Sequence, residues 1–278
     1  MSPTPPALPR SVAFVGGGNM ARSLIGGLVG RLAPSAIRVA DPSPTTRGAL
    51  AEDFGVVVHE DNAAAAGDAE AWVLAVKPQA MRAVCEGLRA QAAATRPLVV
   101  SVAAGITTAR LDRWLGGGQR IVRVMPNTPA LLGAGASGLY ATPEVDAAGR
   151  GQAEALMAAT GRIAWVPDEA QMDAVTAVSG SGPAYFFLLA EAMTDAGIAE
   201  GLDPETARAL VVQTALGAAR MLAESGETAA TLRERVTSPN GTTQAALEAF
   251  ERGGFRDLVR AAVGAAARRG GELAAAND

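Results

Sequence analysis

The chain has 278 residues, 49% hydrophobic and 19% charged, enough for two hydrophobic cores at roughly 100–200 residues per domain. Its formal net charge is −4, and no run of Lys or Arg forms a basic stripe, which excludes nucleic acid from the expected partners. A Ser-His-Asp triad, a Cys-His pair or a His-rich zinc site each needs residues that this chain, with one His, one Cys, two Tyr and one Lys, holds singly or not at all, so we expect none of them and no bound metal.

The first ten residues are Pro-rich and contain no apolar stretch of signal-peptide length. No later segment reaches the ~18 consecutive apolar residues that a membrane-spanning helix needs. We therefore expect residues 1–10 to be a flexible N-terminus, and the protein to be soluble and cytoplasmic with no membrane partner.

Over residues 11–166, short β-branched runs alternate with helical patterns, which is typical of βαβ units on a parallel sheet. Strands are predicted at 11–15, 37–40, 56–59, 72–76, 98–102, 121–125, 138–141 and 163–166. A helix is predicted after the first strand, and others at 45–54, 79–93 and 143–160. This pattern predicts an α/β domain with a mostly parallel sheet.

From Pro167 onward, long Ala- and Leu-rich stretches are separated by single Gly or Pro residues, which favours helices throughout. An Asp N-cap followed by Pro at the first helical position marks one start at Asp203-Pro204. Helices are predicted at 168–178, 183–199, 204–225, 228–235, 242–252 and 255–275. The domain boundary is placed near Pro167, which makes 167–278 an all-helical second domain.

A glycine-rich turn follows the first predicted strand and opens a helix, in the pattern Gly16-x-Gly18-x-x-Ala21. Gly16 permits a tight turn, Gly18 lets a pyrophosphate approach the backbone, and Ala21 lets the helix pack closely. The context predicts a dinucleotide site. The alternative is a Gly-rich turn in some other α/β fold.

Asp41 follows the second strand, where an acidic side chain accepts hydrogen bonds from the adenosine ribose and favours NAD. Ser43, Thr45, Thr46 and Arg47 come directly after it and offer groups for a 2′-phosphate, so the choice between NAD and NADP stays open at this stage. Asp41 could also simply cap the following turn.

Two further strands end in loops at the edge of the sheet where ligands bind in open α/β folds, at 75–78 and 102–105. The only Lys of the chain, Lys77, lies in the first loop. A catalytic role for Lys77 competes with a simpler one, in which the backbone runs beneath the nicotinamide ribose and Lys77 is solvated or touches phosphate; we favour the second. Asn62 begins a short helix and is either its N-cap or a contact on the adenine side.

A hydroxyl-rich segment at 236–244 precedes the helix predicted at 242–252. Backbone N–H groups at a helix start, with several hydroxyls, suit a small carboxylate. The alternative is an ordinary N-capped helix, which needs only one hydroxyl. A second Gly- and Ser-rich segment, 179–183, predicts either a packing kink or a wall of the same pocket.

Together these motifs closely resemble those of the pyrroline-5-carboxylate reductase family, over essentially the whole chain after about residue 11. The matching segments are 16–21 (GGGNMA), 75–79 (AVKPQ), 123–130 (RVMPNTPA), 175–185 (VTAVSGSGPAY) and 236–243 (VTSPNGTT). The last motif is specific to that family, whereas the first is shared by many dehydrogenases.

The resemblance implies reduction of 1-pyrroline-5-carboxylate to L-proline by NADPH or NADH, the final step of proline synthesis. It implies an N-terminal Rossmann domain, here 11–166, and a helical domain that binds substrate and interleaves with a second subunit. The expected assembly is a homodimer, and many members assemble further into a homodecamer.

The resemblance also assigns residues. Positions that match the family's cofactor contacts are Val15, Gly16, Gly17, Gly18, Asn19, Met20, Asn62, Ala75, Val76, Lys77, Pro78, Val102, Ala103 and Ala104. Ser238, Gly241 and Thr242 match the loop that holds the substrate carboxylate. Thr243 matches the Thr that hydrogen-bonds the ring nitrogen, and it is the one catalytic residue expected.

Two positions depart from the family pattern. Asn240 replaces the first Gly of the usual Gly-Gly pair, and Asn is the non-Gly residue that best tolerates a positive φ. Asp41 stands where relatives often carry a neutral polar residue. Rival interpretations are a related two-domain reductase for another cyclic imine or a β-hydroxy acid, and a non-catalytic nucleotide sensor.

Overall fold

The computed structural model describes residues 7–276. Most of the N-terminal segment predicted to be flexible, residues 1–6, lies outside them. By the density of its internal contacts the chain divides into two compact units. The first contains the described residues up to Ser181 and those from Ala266 onward, and the second is Gly182–Ala265.

The first unit is built on one eight-stranded sheet, with strand order β3-β2-β1-β4-β5-β6-β7-β8. The strands are β1 Val12–Val15, β2 Ile37–Ala40, β3 Val57–His59, β4 Ala71–Leu74, β5 Leu98–Ser101, β6 Arg120–Met125, β7 Gly135–Ala141 and β8 Gly161–Trp165. All neighbouring strands are parallel except β6 and β7. The strand order reverses between β1 and β4, where open α/β sheets form a ligand crevice. Each of the eight predicted strands is confirmed, as is the mostly parallel sheet.

Among the described residues, seven complete α-helices belong to the first unit, together with the second half of the last helix, Phe255–Ala276. They are α1 Asn19–Leu28, α2 Pro44–Phe54, α3 Asn62–Ala66, α4 Pro78–Thr95, α5 Thr108–Leu115, α6 Ala147–Met157 and α7 Met172–Val175. Short 3₁₀ turns occur at Pro34–Ala36, Thr128–Leu132, Ala158–Thr160 and Glu169–Gln171, and a π-helix at Thr176–Gly180.

The structure differs from the helix predictions in three places. α5 was not predicted, although Leu111, Trp114 and Leu115 bury one of its faces. The helix predicted at 143–160 begins only at Ala147, because the Asp146 carboxylate accepts from the Gly149 N–H and caps it there. The helix predicted at 168–178 is instead a 3₁₀ turn, one α-turn and the π-helix.

Both faces of the sheet are buried, since helices cover each side of a parallel sheet. Along β1, Val12 and Phe14 belong to one apolar cluster, and Ala13 and Val15 to the other. All four side chains are fully buried. The sheet is therefore a rigid platform from which the loops at its carboxyl edge project.

The second unit is helical, as predicted. It contains α8 Gly182–Ala199, α9 Pro204–Glu224, α10 Ala229–Arg235, α11 Thr242–Arg252 and the first half of α12 Phe255–Ala276. Asp203 caps α9 by accepting from the Thr206 N–H at 3.1 Å, as the sequence indicates. Within residues 7–276, no helix combines the length and apolar character needed to cross a membrane.

Large apolar side chains are exposed on this helical unit, among them Phe186, Phe187, Leu188, Leu210 and Leu258. Phe186 is 72% exposed and Leu258 68%. Phe186, Leu188 and Leu258 line one apolar groove, and such an exposed apolar patch indicates an interaction site rather than a solvated face.

Candidate active site

The glycine turn after β1 leaves the N-terminus of α1 open. Gly16 has φ +98°, and a Cβ there would lie 2.7 Å from the Ala75 carbonyl oxygen, so only Gly fits. Gly18 precedes α1, no side chain caps this helix, and a Cβ on Gly18 would meet nothing within 4 Å. Exposed N–H groups at the positive end of a helix, with free space before them, fit a dinucleotide pyrophosphate.

The loops after the central strands are hydrogen-bonded to one another. The Gly16 N–H donates to the Ala40 carbonyl at 2.8 Å, the Ala75 N–H to the Val15 carbonyl at 2.8 Å, and the Val102 N–H to the Leu74 carbonyl at 3.1 Å. One edge of the sheet therefore carries all of these segments, as a cofactor site requires: residues 15–20, 41, 75–78 and 102–104.

Lys77 is exposed and precedes α4 without a capping bond from its side chain. The backbone around it is ordered instead by the Ala80 N–H, which donates to the Lys77 carbonyl at 3.0 Å. The exposed side chain is compatible with either predicted role of Lys77.

Asn62 is not the cap of α3, in contrast to one of its two predicted roles. Asp61 caps that helix, because its carboxylate accepts from the Ala64 N–H at 2.8 Å. Asn62 is half-buried at the first helical position. Since the Asp41 N–H donates to the His59 carbonyl at 3.2 Å, the end of β3 that leads to α3 lies at the same sheet edge.

Asp41 caps the turn that follows β2, which was the alternative interpretation. One carboxylate oxygen accepts from the Ser43 N–H at 2.9 Å. The other accepts from the Gly17 N–H, also at 2.9 Å, which places the carboxylate against the glycine turn. The capping role and a position beside the ribose are therefore compatible.

In the second unit, the loop before α11 has the form of an anion site. Gly241 is the N-cap residue, and no side chain caps α11, so the ordinary hydroxyl-capped helix is ruled out. The Gly241 N–H donates to the Ser238 carbonyl at 3.0 Å and closes the turn. Thr242 is exposed and Thr243 half-buried, both in the first turn of the helix. Uncapped N–H groups of this kind bind carboxylates.

Asn240 adopts the left-handed conformation, with φ 58°, that the family's usual Gly would take more easily. Its N–H donates to Oε1 of Gln244 at 2.7 Å, and the Gln244 amide donates to Glu248 at 2.9 Å. Sequence reasoning missed Gln244, although a Gln three residues after an N-cap is a known capping signal.

A buried ion pair, also missed, fixes the far end of the loop after β5. The Glu169 carboxylate accepts from the Thr108 N–H at 2.8 Å, from the Thr108 hydroxyl at 2.6 Å and from Arg123 at 3.0 Å. Arg123 is only 5% exposed. Glu169 therefore supplies from a distance the side-chain cap that Thr107, the residue before α5, does not provide.

The Gly- and Ser-rich segment at 179–183 begins within a π-helix, Thr176–Gly180. Asn127 holds it, since its amide donates to the Ser179 carbonyl at 3.0 Å and its carbonyl accepts from the Ala136 N–H at 2.9 Å. Single π-helical turns are often found at functional sites.

Comparison with known proteins agrees with this geometry. Residues 169–273 match the family model for pyrroline-5-carboxylate reductase dimerisation, and residues 11–105 that for coenzyme F420-dependent NADP oxidoreductase. A pyrroline-5-carboxylate reductase of Pseudomonas aeruginosa is 56% identical over 264 residues, which are 95% of this chain and 96% of that one. The chain belongs to the pyrroline-5-carboxylate reductase family.

Solved structures of the family have a similar fold. That of a pyrroline-5-carboxylate reductase from Coxiella burnetii has a TM-score of 0.93 at 43% identity, covering 96% of this chain and 99% of that one. The structure of Plasmodium falciparum pyrroline carboxylate reductase with NADP bound has a TM-score of 0.82 at 27% identity, and the match covers 96% of this chain and 100% of that one.

The comparisons confirm the family resemblance that the sequence implied, and they also confirm the two-part fold. This reductase family member is an NAD(P)-dependent oxidoreductase, and its open α1 N-terminus fits a nicotinamide dinucleotide. The dimerisation match covers the helices that expose apolar side chains and supports a homodimer or larger oligomer.

Proposed function

We propose that this chain reduces the C=N bond of 1-pyrroline-5-carboxylate to give L-proline, the last step of proline synthesis. NADPH or NADH, when bound, supplies the hydride. The observation that carries the proposal is the uncapped start of α11, which offers backbone N–H groups beside Thr242 and Thr243 for a small carboxylate. The family match and the open start of α1 support the same reaction.

The dinucleotide is held by the first unit. The N-terminus of α1 after Gly18 binds the pyrophosphate, and the loops at 75–78 and 102–104 lie against the ribose and nicotinamide. Exposed Asn19 and half-buried Met20 flank the same opening, and half-buried Asn62 contacts the adenine side.

The substrate is held by the loop before α11. Backbone N–H groups from Ser238 to Thr242 bind the carboxylate, and the Thr243 hydroxyl positions the ring nitrogen. Hydride transfer needs the reacting carbon about 3–3.5 Å from the hydride, so orientation contributes much of the rate.

The proposed chemistry suits a chain with one His, one Cys, one Lys and two Tyr. Reducing a ketone creates an alkoxide that needs a proton donor such as His, and the single His59 sits at the end of β3. A cyclic imine protonates readily near neutral pH and accepts hydride as an iminium, so a strong acid on the protein is unnecessary.

The helical domain, proposed as 167–278, completes the active site in a homodimer through its C-terminal helices. A groove of about 430 Å³ between α8 and α12, lined by Leu188 and Leu258, is apolar and suits burial against a second copy. We propose a homodecamer as the larger assembly, and a cytoplasmic location. Light scattering tests the assembly, since the mass would be about twice or ten times the chain's 28.0 kDa.

The assay mixes purified protein with 1-pyrroline-5-carboxylate and either NADPH or NADH and follows absorbance at 340 nm. Thr243→Ala is expected to lower kcat/KM at least tenfold, whereas Thr206→Ala, in the first turn of α9, should leave it unchanged. No oxidation of either nucleotide would refute the reductase. A Thr243→Ala value within twofold of wild type would refute the role of that hydroxyl.

A further inference from the structure

Asp41, whose place at the end of β2 is where ribose hydroxyls bind in this fold, cannot turn away from the site. Both of its carboxylate oxygens accept backbone N–H groups at 2.9 Å, one from Gly17 and one from Ser43. A carboxylate offers about four acceptor positions. Two positions therefore remain, which matches the two hydroxyls of an adenosine ribose.

The start of α2, the other source of groups for a 2′-phosphate, is already engaged. Pro44 has no N–H at the first helical position. The Thr46 N–H donates to the Ser43 hydroxyl oxygen at 3.2 Å, and the Arg47 N–H to the Ser43 carbonyl at 3.1 Å. Only the Thr45 N–H lies outside these bonds, so this helix start is a poor phosphate site.

Arg47 is held in place by groups of the protein. One of its terminal nitrogens donates to the Asp41 carbonyl at 2.6 Å, and the other lies 3.4 Å from a Glu60 carboxylate oxygen. Its side chain is only 18% exposed. The Glu60 carboxylate balances the charge of this guanidinium, and the Asp41 carboxylate at the glycine turn adds a negative charge that repels a phosphate dianion.

From these contacts we propose that Asp41 sets the cofactor preference, so that the site binds NADH, through hydrogen bonds from the ribose hydroxyls, in preference to NADPH. This inference rests on the proposed reductase function and adds to it the choice between the two cofactors. It assigns Ser43 and Arg47 to the support of the turn rather than to a 2′-phosphate.

Calorimetric titration with NAD⁺ and NADP⁺, without substrate, tests the preference by binding alone. The wild-type Kd for NAD⁺ is expected to be at least tenfold lower than that for NADP⁺, and kcat/KM with NADH correspondingly higher than with NADPH. Equal or tighter binding of NADP⁺ would overturn the inference and leave the reductase intact. Binding of neither nucleotide would overturn the reductase as well.

Asp41→Ser should reduce the preference for NAD⁺, measured as the Kd for NADP⁺ divided by the Kd for NAD⁺, at least tenfold. A merely loosened turn would weaken both nucleotides alike and leave the ratio unchanged, which would contradict the proposal. Asp68→Ser is the matched control, since Asp68 pairs with Arg38, at the opposite end of β2 from Asp41, and it should keep the ratio within twofold. If Asp41→Ser fails to fold, the same-sized Asp41→Asn is measured instead, with the same expected change.

Discussion

Replacing Glu169 by Ala is expected to destabilise the first unit far more than removing an ordinary ion pair. The change takes away the acceptor of three hydrogen bonds and leaves the Arg123 guanidinium, whose side chain is 6% exposed, without this partner. Breaking a buried pair from one side costs about 3–5 kcal/mol. Because the Glu169 side chain is 20% exposed, we expect the lower end of that range.

At roughly 2–4 °C per kcal/mol for a chain of this size, the Tm should fall by about 6–12 °C. Differential scanning fluorimetry measures it. Glu86→Ala is the control, since Glu86 pairs with Arg82 on the surface of α4 and should cost about 0.3–0.5 kcal/mol. A Tm loss for Glu169→Ala no larger than that of the control would refute the reasoning.

The pair also admits a second test. Arg123→Met combined with Glu169→Leu replaces both charges by apolar groups and should recover much of the lost stability, because the unpaired buried charge causes most of the loss. A double variant as unstable as Glu169→Ala would show that the hydrogen bonds to Thr108, rather than the charge on Arg123, dominate.

Three further predictions concern other contacts. Gln244→Ala removes the acceptor of the Asn240 N–H and should weaken binding of the substrate by about 1 kcal/mol. This corresponds to a roughly fivefold loss of kcat/KM, seen mainly as a higher substrate KM. A change below 1.5-fold would contradict the prediction. The hydrogen bond from the Arg10 N–H lowers the pKa of Glu70 below its ordinary 4.5. The ionised Glu70 therefore stabilises the folded protein fully above pH 4.5, and this contribution is lost as the pH falls through the lowered pKa. Urea unfolding at pH 6 and pH 3.5 should therefore show a larger loss of stability for Glu70→Gln relative to wild type at the higher pH. Burial raises the pKa of Cys85 to about 12, so a thiol reagent at pH 8 should label it only after denaturation, and rapid labelling of native protein would be the contrary result.

Local patterns were sufficient for the sheet and for most helices. β1 (VAFV) and β6 (RIVRVM) are short runs rich in β-branched residues that a Gly and a Pro follow, and Asp203-Pro204 marks a helix start from adjacent residues alone. The Gly16 turn was recognisable for the same reason. The missed α5 is only eight residues long, and its cap comes from Glu169, 61 residues after Thr108, so no local signal announces it.

The site divides in the same way. The sequence by itself determined the residue types at the sheet edge and before α11, and with them the family, because a glycine turn and an uncapped helix start are properties of neighbouring residues. Only the tertiary structure decided what Asp41 and Arg47 do. Their partners Gly17 and Glu60 come from other strand ends, and hydrogen bonds across a folded chain depend on which segments the packed sheet brings together.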